Sequence, residues 1–338
     1  MSGQQLNLFD TPDESQPSQS QTPSPAQAAP VEVDQSRLNV FNERTTLRVA
    51  MDAYREHMIA RQFSLNTVKA FMYDLNIVAK YFTANKPIGE IAHRDLERFI
   101  DWLVNGRGIP CNPKSLARRM TTLKTFFGWL TEIEAIALDP AAPIVHIAVQ
   151  TPLPDILYDN EIEAVLSATK QLRAGLSSDP DTPPKPDVRP QLLVTLLLAT
   201  GIKKSECAGI ELTHIDRSEP DEPALWIRYA DARHHHKERK LKLERAWLKL
   251  LDEYLAQYEV QSKLFPWTPR NLEYILTDVG KLAGLEKKLS FEMLRWTCAA
   301  RDKRNGMPDE TLRRKMGLSQ ITWHEVGEKL TKLTAPAV

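Results

Sequence analysis

The chain has 338 residues, of which 42% are hydrophobic and 26% charged, and its formal net charge is zero. This length suits about two ordinary domains. No apolar stretch approaches the ~20 residues of a membrane span, the N-terminus lacks the basic-then-apolar pattern of a secretory signal, and the three cysteines are too far apart for a disulfide framework or a zinc site. We therefore expect a protein of the reducing cytoplasm that uses no membrane, no metal and no other cofactor.

Residues 1–45 are predicted to form a disordered tail, because Ser, Gln, Pro and Ala dominate the stretch and large apolar side chains are scarce. The tip of this tail differs, since residues 5–9 read Gln-Leu-Asn-Leu-Phe. This run resembles the short peptide by which bacterial proteins dock on the DNA sliding clamp, with a glutamine amide for a polar subsite and apolar side chains for a pocket. The resemblance implies clamp-binding residues at Gln5, Leu6, Leu8 and Phe9.

Residues 46–138 are predicted to form a bundle of four amphipathic helices, the first of which begins near Thr46. Ser64 is a candidate N-cap for the second helix, whose apolar residues repeat at helical spacing: Val68, Met72, Leu75, Val78 and Phe82. A third helix is predicted over residues 91–104. A fourth is predicted after Pro113, with the apolar set Leu116, Met120, Leu123, Phe127 and Leu130.

The fourth helix belongs to a basic stretch. Residues 102–131 contain no acid but five bases, which are Arg107, Lys114, Arg118, Arg119 and Lys124. At helical spacing, Lys114 and Arg118 lie opposite the apolar seam, while Arg119 and Lys124 flank it. Such a patch is typical of a nucleic-acid surface, although a solvated helix face accounts for the patch nearly as well when it is taken alone.

Residues 139–153 are predicted to link this bundle to a second domain, residues 154–335. The second domain is predicted to be mainly helical, with two strand-like runs at 224–230 and 239–244. Three consecutive histidines precede the second run, and because adjacent side chains there point in different directions, we expect a loop near DNA rather than a metal site. The predicted fold class is therefore mostly α: a helical bundle followed by a mixed, mainly helical domain with a small antiparallel sheet.

Four segments resemble, in the same order, the conserved boxes of the tyrosine recombinases, also called the phage integrase family. They are LLLATGIKKSECAGIELTHID (196–216), HHHKERKLKL (234–243), SFEMLRWTCAA (290–300) and LRRKMGLSQITWHEV (312–326). The resemblance spans residues 46–330. It implies a SAM-like helical DNA-binding domain followed by a recombinase catalytic-type domain, which in this family grip duplex DNA between them.

The resemblance also implies a chemistry, in which a tyrosine attacks a DNA phosphodiester, two arginines neutralise the transition state, and a lysine or histidines move protons. The first arginine falls on Lys203, which keeps the charge but loses the bidentate fork that suits a phosphate. The second arginine is kept as Arg295. Glu206 retains the acid of the first box, and Lys237 and Arg239 remain in the second.

The other catalytic positions are replaced. The lysine of the hairpin falls on His234, the histidine before the second arginine on Glu292, and the histidine of the last box on Leu318. The tyrosine falls on Gly327, and because the last tyrosine of the chain is Tyr274, no shift of a few residues supplies a phenol. Three hydroxyls near that position lack a base and the full set of charges: Ser319, Thr322 and Thr331.

These observations lead to the hypothesis of a DNA-binding family member that does not cut DNA. It would act as a regulator or structural partner in DNA recombination or integration, for example beside a mobile element. Its expected partners are duplex DNA, the sliding clamp, and other recombinase subunits or a second copy of itself, in the nucleoid. Its expected DNA contacts are Lys114, Arg118, Arg119, Lys124, Lys203, Lys237, Arg239 and Arg295.

Two alternatives stay open. The first is a divergent but active site-specific recombinase, which the missing phenol opposes. The second is a protein-interaction module that has lost DNA binding. The zero net charge and Glu292 favour this module, and the acid-free stretch at residues 102–131 opposes it.

Overall fold

The structure is a computed structural model that describes residues 41–109, 111–145, 152–177, 179, 181, 185–219 and 221–335. The predicted clamp-binding peptide, most of the predicted tail and the middle of the predicted linker lie outside these residues. The described residues fall into two compact units that divide between Pro152 and Leu153, called here the N-terminal and the C-terminal unit. No helix within the described ranges is long and apolar enough to cross a membrane.

The N-terminal unit contains the four predicted helices. They are α1 (Leu47–Ala60), α2 (Leu65–Phe82), α3 (His93–Asp101) and α4 (Pro113–Glu132). Ser64 caps α2 as predicted, since its hydroxyl accepts a hydrogen bond from the Thr67 amide at 3.0 Å. The predicted third helix is shorter than expected, because α3 passes into a π-helical turn, Trp102–Gly106.

Helix α4 supplies much of the core of this unit. Its predicted seam is buried at Met120, Leu123, Phe127 and Leu130, while Leu116 is partly buried. Phe126 and Trp129, outside the predicted seam, are also buried and lie beside Tyr54 of α1. The buried face of α4 is therefore wider than a single seam, which leaves less of the helix for a basic surface.

The C-terminal unit contains eight named helices and one sheet among its described residues. The helices are α5 (Asp159–Ala174), α6 (Arg189–Thr200), α7 (Lys204–Ala208), α8 (Arg245–Gln257), α9 (Pro269–Leu282), α10 (Phe291–Arg304), α11 (Asp309–Lys315) and α12 (Gln320–Thr334). Helix α6 is the predicted buried helix. It packs against α5, α8, α9 and α10, so it forms the centre of the unit.

The sheet of this unit is antiparallel, in the order β1 (Ile215–Asp216), β2 (Ala224–Ile227) and β3 (Arg239–Lys242). The two predicted strands are confirmed as β2 and β3, with Leu225 opposite Leu241. β1 was not predicted, because two residues are too few to show an alternating pattern. The three histidines lie in a 3₁₀ turn, Ala232–Lys237, between β2 and β3.

Two charged side chains, Asp74 and Arg119, are buried in the N-terminal unit. The carboxylate of Asp74 on α2 is 2% exposed and lies 2.9 Å from Arg118 Nη2 and 3.5 Å from Arg119 Nε. Thr122 donates its hydroxyl to the same carboxylate at 3.3 Å. Burial raises the pKa of Asp74, and the two arginines and Thr122 oppose that rise.

This cluster corrects the predicted basic face of α4. Arg118 was expected to lie opposite the apolar seam, but it reaches across to Asp74, and Arg119 is buried at 8% exposure. A buried carboxylate needs such partners, because an unpaired charge inside a protein is costly. Of the four bases predicted on α4, Lys114 is exposed and Lys124 half-buried, and neither takes part in the Asp74 cluster.

We expect Arg119→Met to lower the free energy of unfolding by about 3 kcal/mol, because it removes one partner of a buried carboxylate while keeping an apolar side chain of similar length. The matched control is Lys114→Met on the exposed side of the same helix, which should change stability by less than about 0.5 kcal/mol. Urea unfolding measures both. Equal losses in the two variants would contradict the structural role of Arg119.

Candidate functional site

The four segments that resemble family boxes come together around the end of α6. Arg295 of α10 is 1% exposed, and its guanidinium donates to the carbonyl of Gly201, just after α6, and to the carbonyl of Met316, just after α11. Gly201 has φ +59°, and a Cβ there would lie 3.1 Å from Cys298 Sγ. Three of the boxes are thus joined at one buried guanidinium. Burial lowers the pKa of Arg295 to about 10, against the opposing effect of Glu206.

The second feature is a buried carboxylate, that of Glu206 on α7. Arg239 of β3 binds it with both terminal nitrogens, at 3.0 and 2.8 Å. The hydroxyl of Tyr229 and the backbone amide of Lys203 also donate to it, the latter at 2.9 Å. Burial by itself would raise the pKa of Glu206, but Arg239 and the neighbouring cations hold it well below its usual range. Glu206 is therefore charged and fully engaged by protein groups.

Arg239 is equally enclosed. Its Nε donates to the carbonyl of Lys315 at 2.7 Å, so the guanidinium bridges α7 and the end of α11. Two residues after Lys315, Gly317 has φ +59°, and a Cβ on it would lie 2.7 Å from Arg239 Nη1. Only a glycine leaves space for the guanidinium at this position.

Lys203, which the resemblance predicts at the position of the first family arginine, directly precedes α7. Its side chain is half-buried, and no ion pair to it is present within the described residues. Burial lowers the pKa of Lys203 to about 8, and the positive charges of Arg295, Lys237 and Arg239 contribute to the decrease, while Glu206 opposes it. An anion such as a phosphate would favour the charged form of this amine.

The remaining predicted positions lie on the turn between β2 and β3, at the start of α10 and after α11. His234 lies in the 3₁₀ turn, 3.8 Å from Asp231 and against the ring of Tyr229. Glu292 is exposed in the first turn of α10, whereas Leu318 is buried at 7% exposure. Within the described ranges, no group of three or more His, Cys, Asp or Glu side chains is placed to hold a metal ion.

Gly327, which the resemblance predicts at the position of the family tyrosine, lies in α12. A side chain there would first meet the indole of Trp323, 3.4 Å from the added Cβ, which is ordinary contact. The site therefore has space for the start of a side chain.

The geometry changes how the predicted DNA contacts are understood. The guanidiniums of Arg239 and Arg295 are bound to protein carbonyls or to Glu206, which does not fit the direct DNA contacts that the resemblance implied for them. Lys203 and Lys237 are half-buried and remain predicted contacts. The sequence reasoning missed Tyr229; the only available signal was a tyrosine placed just before the histidine turn.

Two family models match the chain. Residues 51–133 match the domain described as "Phage integrase, N-terminal SAM-like domain", and residues 156–324 match "Phage integrase family". Among the similar sequences are tyrosine recombinases XerC from Staphylococcus haemolyticus (strain JCSC1435) and Listeria monocytogenes serotype 4a (strain HCC23), each 25% identical. The matches cover 77% and 80% of this chain and 84% and 89% of those proteins.

Two solved structures share the fold. A lambda integrase dimer bound to a COC' core site has a TM-score of 0.64 at 14% identity, covering 86% of this chain and 79% of the integrase. XerH site-specific recombinase bound to a palindromic difH substrate, in a post-cleavage complex, has a TM-score of 0.63 at 15% identity, covering 89% and 90%. The mostly helical fold with a small antiparallel sheet is thereby confirmed.

We expect Gly317→Ala to destabilise the protein by about 2–3 kcal/mol, for two reasons. The new Cβ would collide with the Arg239 guanidinium, and a positive φ is strained for alanine. The control is Gly306→Ala, at φ +81° with nothing within 4 Å of an added Cβ. That variant should cost only the strain, about 1 kcal/mol. Chemical denaturation compares them, and equal costs would show that the Arg239 contact is not tight.

Proposed function

Because this chain belongs to the phage integrase family of tyrosine recombinases, we propose that it binds duplex DNA and does not cut it. The cell would use it as a regulator or structural partner in DNA recombination or integration. Its place would be the cytoplasm, on the nucleoid. The solved relatives are bound to DNA as their titles state, which supports the DNA half of this proposal by analogy of fold.

The observation that carries the proposal is Gly327 at the position of the nucleophile. A covalent phosphotyrosyl intermediate requires a phenol, and the chain has no tyrosine after Tyr274. Ser319 and Thr322 hydrogen bond to each other at 2.9 Å, where Ser319 caps α12, so these hydroxyls have a structural use.

Tyr229 has a phenol beside the retained family residue Glu206, and its environment does not suit a nucleophile. Its hydroxyl donates to the carboxylate of Glu206. Burial raises the pKa of Tyr229, and the negative charge of Glu206 raises it further. A nucleophilic phenol needs a lowered pKa, since the phenolate is the attacking form.

The cations of the site also support binding without cleavage. Transfer of a phosphate requires two arginines whose guanidiniums can bind it with two nitrogens each. The corresponding predicted positions hold Lys203 and Arg295, and the guanidinium of Arg295 donates to two backbone carbonyls. Lys203 and Lys237 can still attract a DNA phosphate as point charges. Such contacts give affinity for any duplex and no rate acceleration.

Two other functions remain as candidates. An active, divergent recombinase is favoured by the XerC relatives and by the retained Arg295. A protein-interaction module is favoured by the ion pairs that occupy Arg118 and Arg119. The first two of the experiments below separate all three.

In the first experiment, Lys114→Glu with Lys124→Glu should weaken binding to all duplexes and lower the slope of log affinity against log salt by about 2, because each lost phosphate contact releases about one counterion fewer. These lysines replace Arg118 and Arg119 as the test positions, since the arginines hold Asp74. The control is Lys170→Glu with Lys249→Glu, exposed lysines on α5 and α8. Absence of duplex binding by the unaltered protein at low salt would favour the interaction module instead.

The second experiment tests cleavage with a nicked duplex that traps covalent intermediates, read on a denaturing gel. We expect no protease-sensitive shifted band from the natural protein, nor from Gly327→Tyr, because the variant still has Lys203 and Leu318 at supporting positions and Glu292 as an added anion. A catalytically intact recombinase of the family on its own site is the positive control. A shifted band from the natural protein would establish the active alternative.

Further partners are proposed from the tail and the family. The run at residues 5–9 would bind the bacterial sliding clamp and keep the protein near replicating DNA, since a tether raises effective concentration without new contacts. Other recombinase subunits or a second copy would bind beside it on DNA. One relative is a dimer on its core site, which supports the second idea.

For the clamp, a peptide of residues 1–12 should bind purified clamp in the micromolar range by calorimetry. Leu8 and Phe9 should contribute most, on the order of 1.5–3 kcal/mol each when fully buried. Added salt should change this affinity little, because the contacts are apolar. Equal heats from the natural peptide and its Leu8→Ala, Phe9→Ala counterpart would remove the peptide from the proposed function.

A further inference from the structure

A cleft beside the start of α9 combines positive charge with an exposed aromatic ring. Its volume is about 600 Å³, and its lining includes Lys204, Arg270, Tyr274 and Lys288. The resemblance to the family assigned none of its roles to these four side chains. The cleft begins one residue after Lys203, on α7, and is completed by α9 and the segment before α10.

The ring of Tyr274 is held in place and left accessible. The side chain is 53% exposed, an unusual position for an aromatic ring that could have packed into the core. Arg270 Nε donates to the Tyr274 hydroxyl at 2.9 Å, and its guanidinium carbon lies 5.7 Å from the ring centroid. The arginine therefore fixes the ring and places a cation beside it.

The charge of the cleft favours an anion. Its lining contains three bases and one acid, which is Glu273. Glu273 pairs with Lys204 at 2.9 Å, and both side chains are 42% exposed. Arg270 and Lys288 are exposed and have no carboxylate partner within the described residues. A phosphate entering the cleft would compete with Glu273 for Lys204.

We propose that this cleft binds an unpaired nucleotide of a nucleic-acid strand, with the base on the ring of Tyr274 and the adjacent phosphates on Lys204, Arg270 and Lys288. Aromatic side chains in a positively charged groove bind single strands without sequence preference, because every base offers a flat face. Inside a duplex those faces are covered by neighbouring base pairs. The cleft would therefore add single-strand binding to the proposed duplex binding. Each of the two proposals can be tested without the other.

The first test uses the full chain, a labelled oligothymidylate and a blunt duplex, followed by fluorescence anisotropy. Tyr274→Leu should bind the oligothymidylate about tenfold more weakly, because one stacking contact is lost, and should bind the duplex unchanged. The control is Tyr158→Leu. This tyrosine is 59% exposed and has Lys287 over its ring, but it lies outside the cleft. Unchanged single-strand binding by Tyr274→Leu, or equal losses for strand and duplex, would overturn the proposal.

The second test looks for a gain, which misfolding cannot produce. Glu273→Gln should tighten oligothymidylate binding several-fold, because Lys204 loses its competing carboxylate and the cleft loses its acid. The tightening should shrink as salt is added. An unchanged or weaker affinity would overturn the proposed use of Lys204. Free thymidine monophosphate that binds as tightly as the oligothymidylate would overturn the assignment to a strand and indicate a site for free nucleotides.

Discussion

The bidentate pairing of Arg239 with the buried carboxylate of Glu206 holds the C-terminal unit together at the place where its parts meet. A charged carboxylate inside a protein is stable only when its oxygens are fully satisfied, since desolvation otherwise outweighs the attraction. Here the donors come from β3, from the segment after β2 and from the start of α7. Arg239 also reaches the end of α11. The sheet is thereby joined to α7 and to the end of α11 through one ion pair.

Arg295 extends the same arrangement. Its guanidinium lies between two backbone carbonyls, at Gly201 and Met316, and both neighbouring turns rely on glycines with positive φ. Arg239 and Arg295, two of the predicted DNA contacts, thus bind groups inside the protein. The fold of the family is kept, and the prediction that Gly327 stands at the position of the nucleophile is the basis for proposing binding without cleavage.

The N-terminal unit repeats this use of arginine. Arg118 and Arg119 looked like the centre of a basic surface, but the buried Asp74 on the neighbouring helix takes both. Fewer bases of α4 are therefore unpaired than the acid-free stretch predicted. Lys114 is exposed and takes no part in the Asp74 cluster. The ammonium of a lysine is compact and strongly hydrated, which suits the surface. The planar guanidinium of an arginine has several donors and can satisfy buried acceptors.

The sequence by itself determined the family, the helical bundle, the buried helix α6 and the antiparallel pair β2–β3, because these depend on local periodicity and on motifs read along the chain. It also shows that no tyrosine follows Tyr274, on which the proposal of binding without cleavage rests. The tertiary structure alone decided which cations are free. Asp74 lies 44 residues before Arg118, and Glu206 lies 33 before Arg239, so no window along the chain shows these pairs. Burial and pairing are set by how helices and strands pack, and that is why the bonds that Arg119, Arg239 and Arg295 make inside the protein could not be predicted from the sequence.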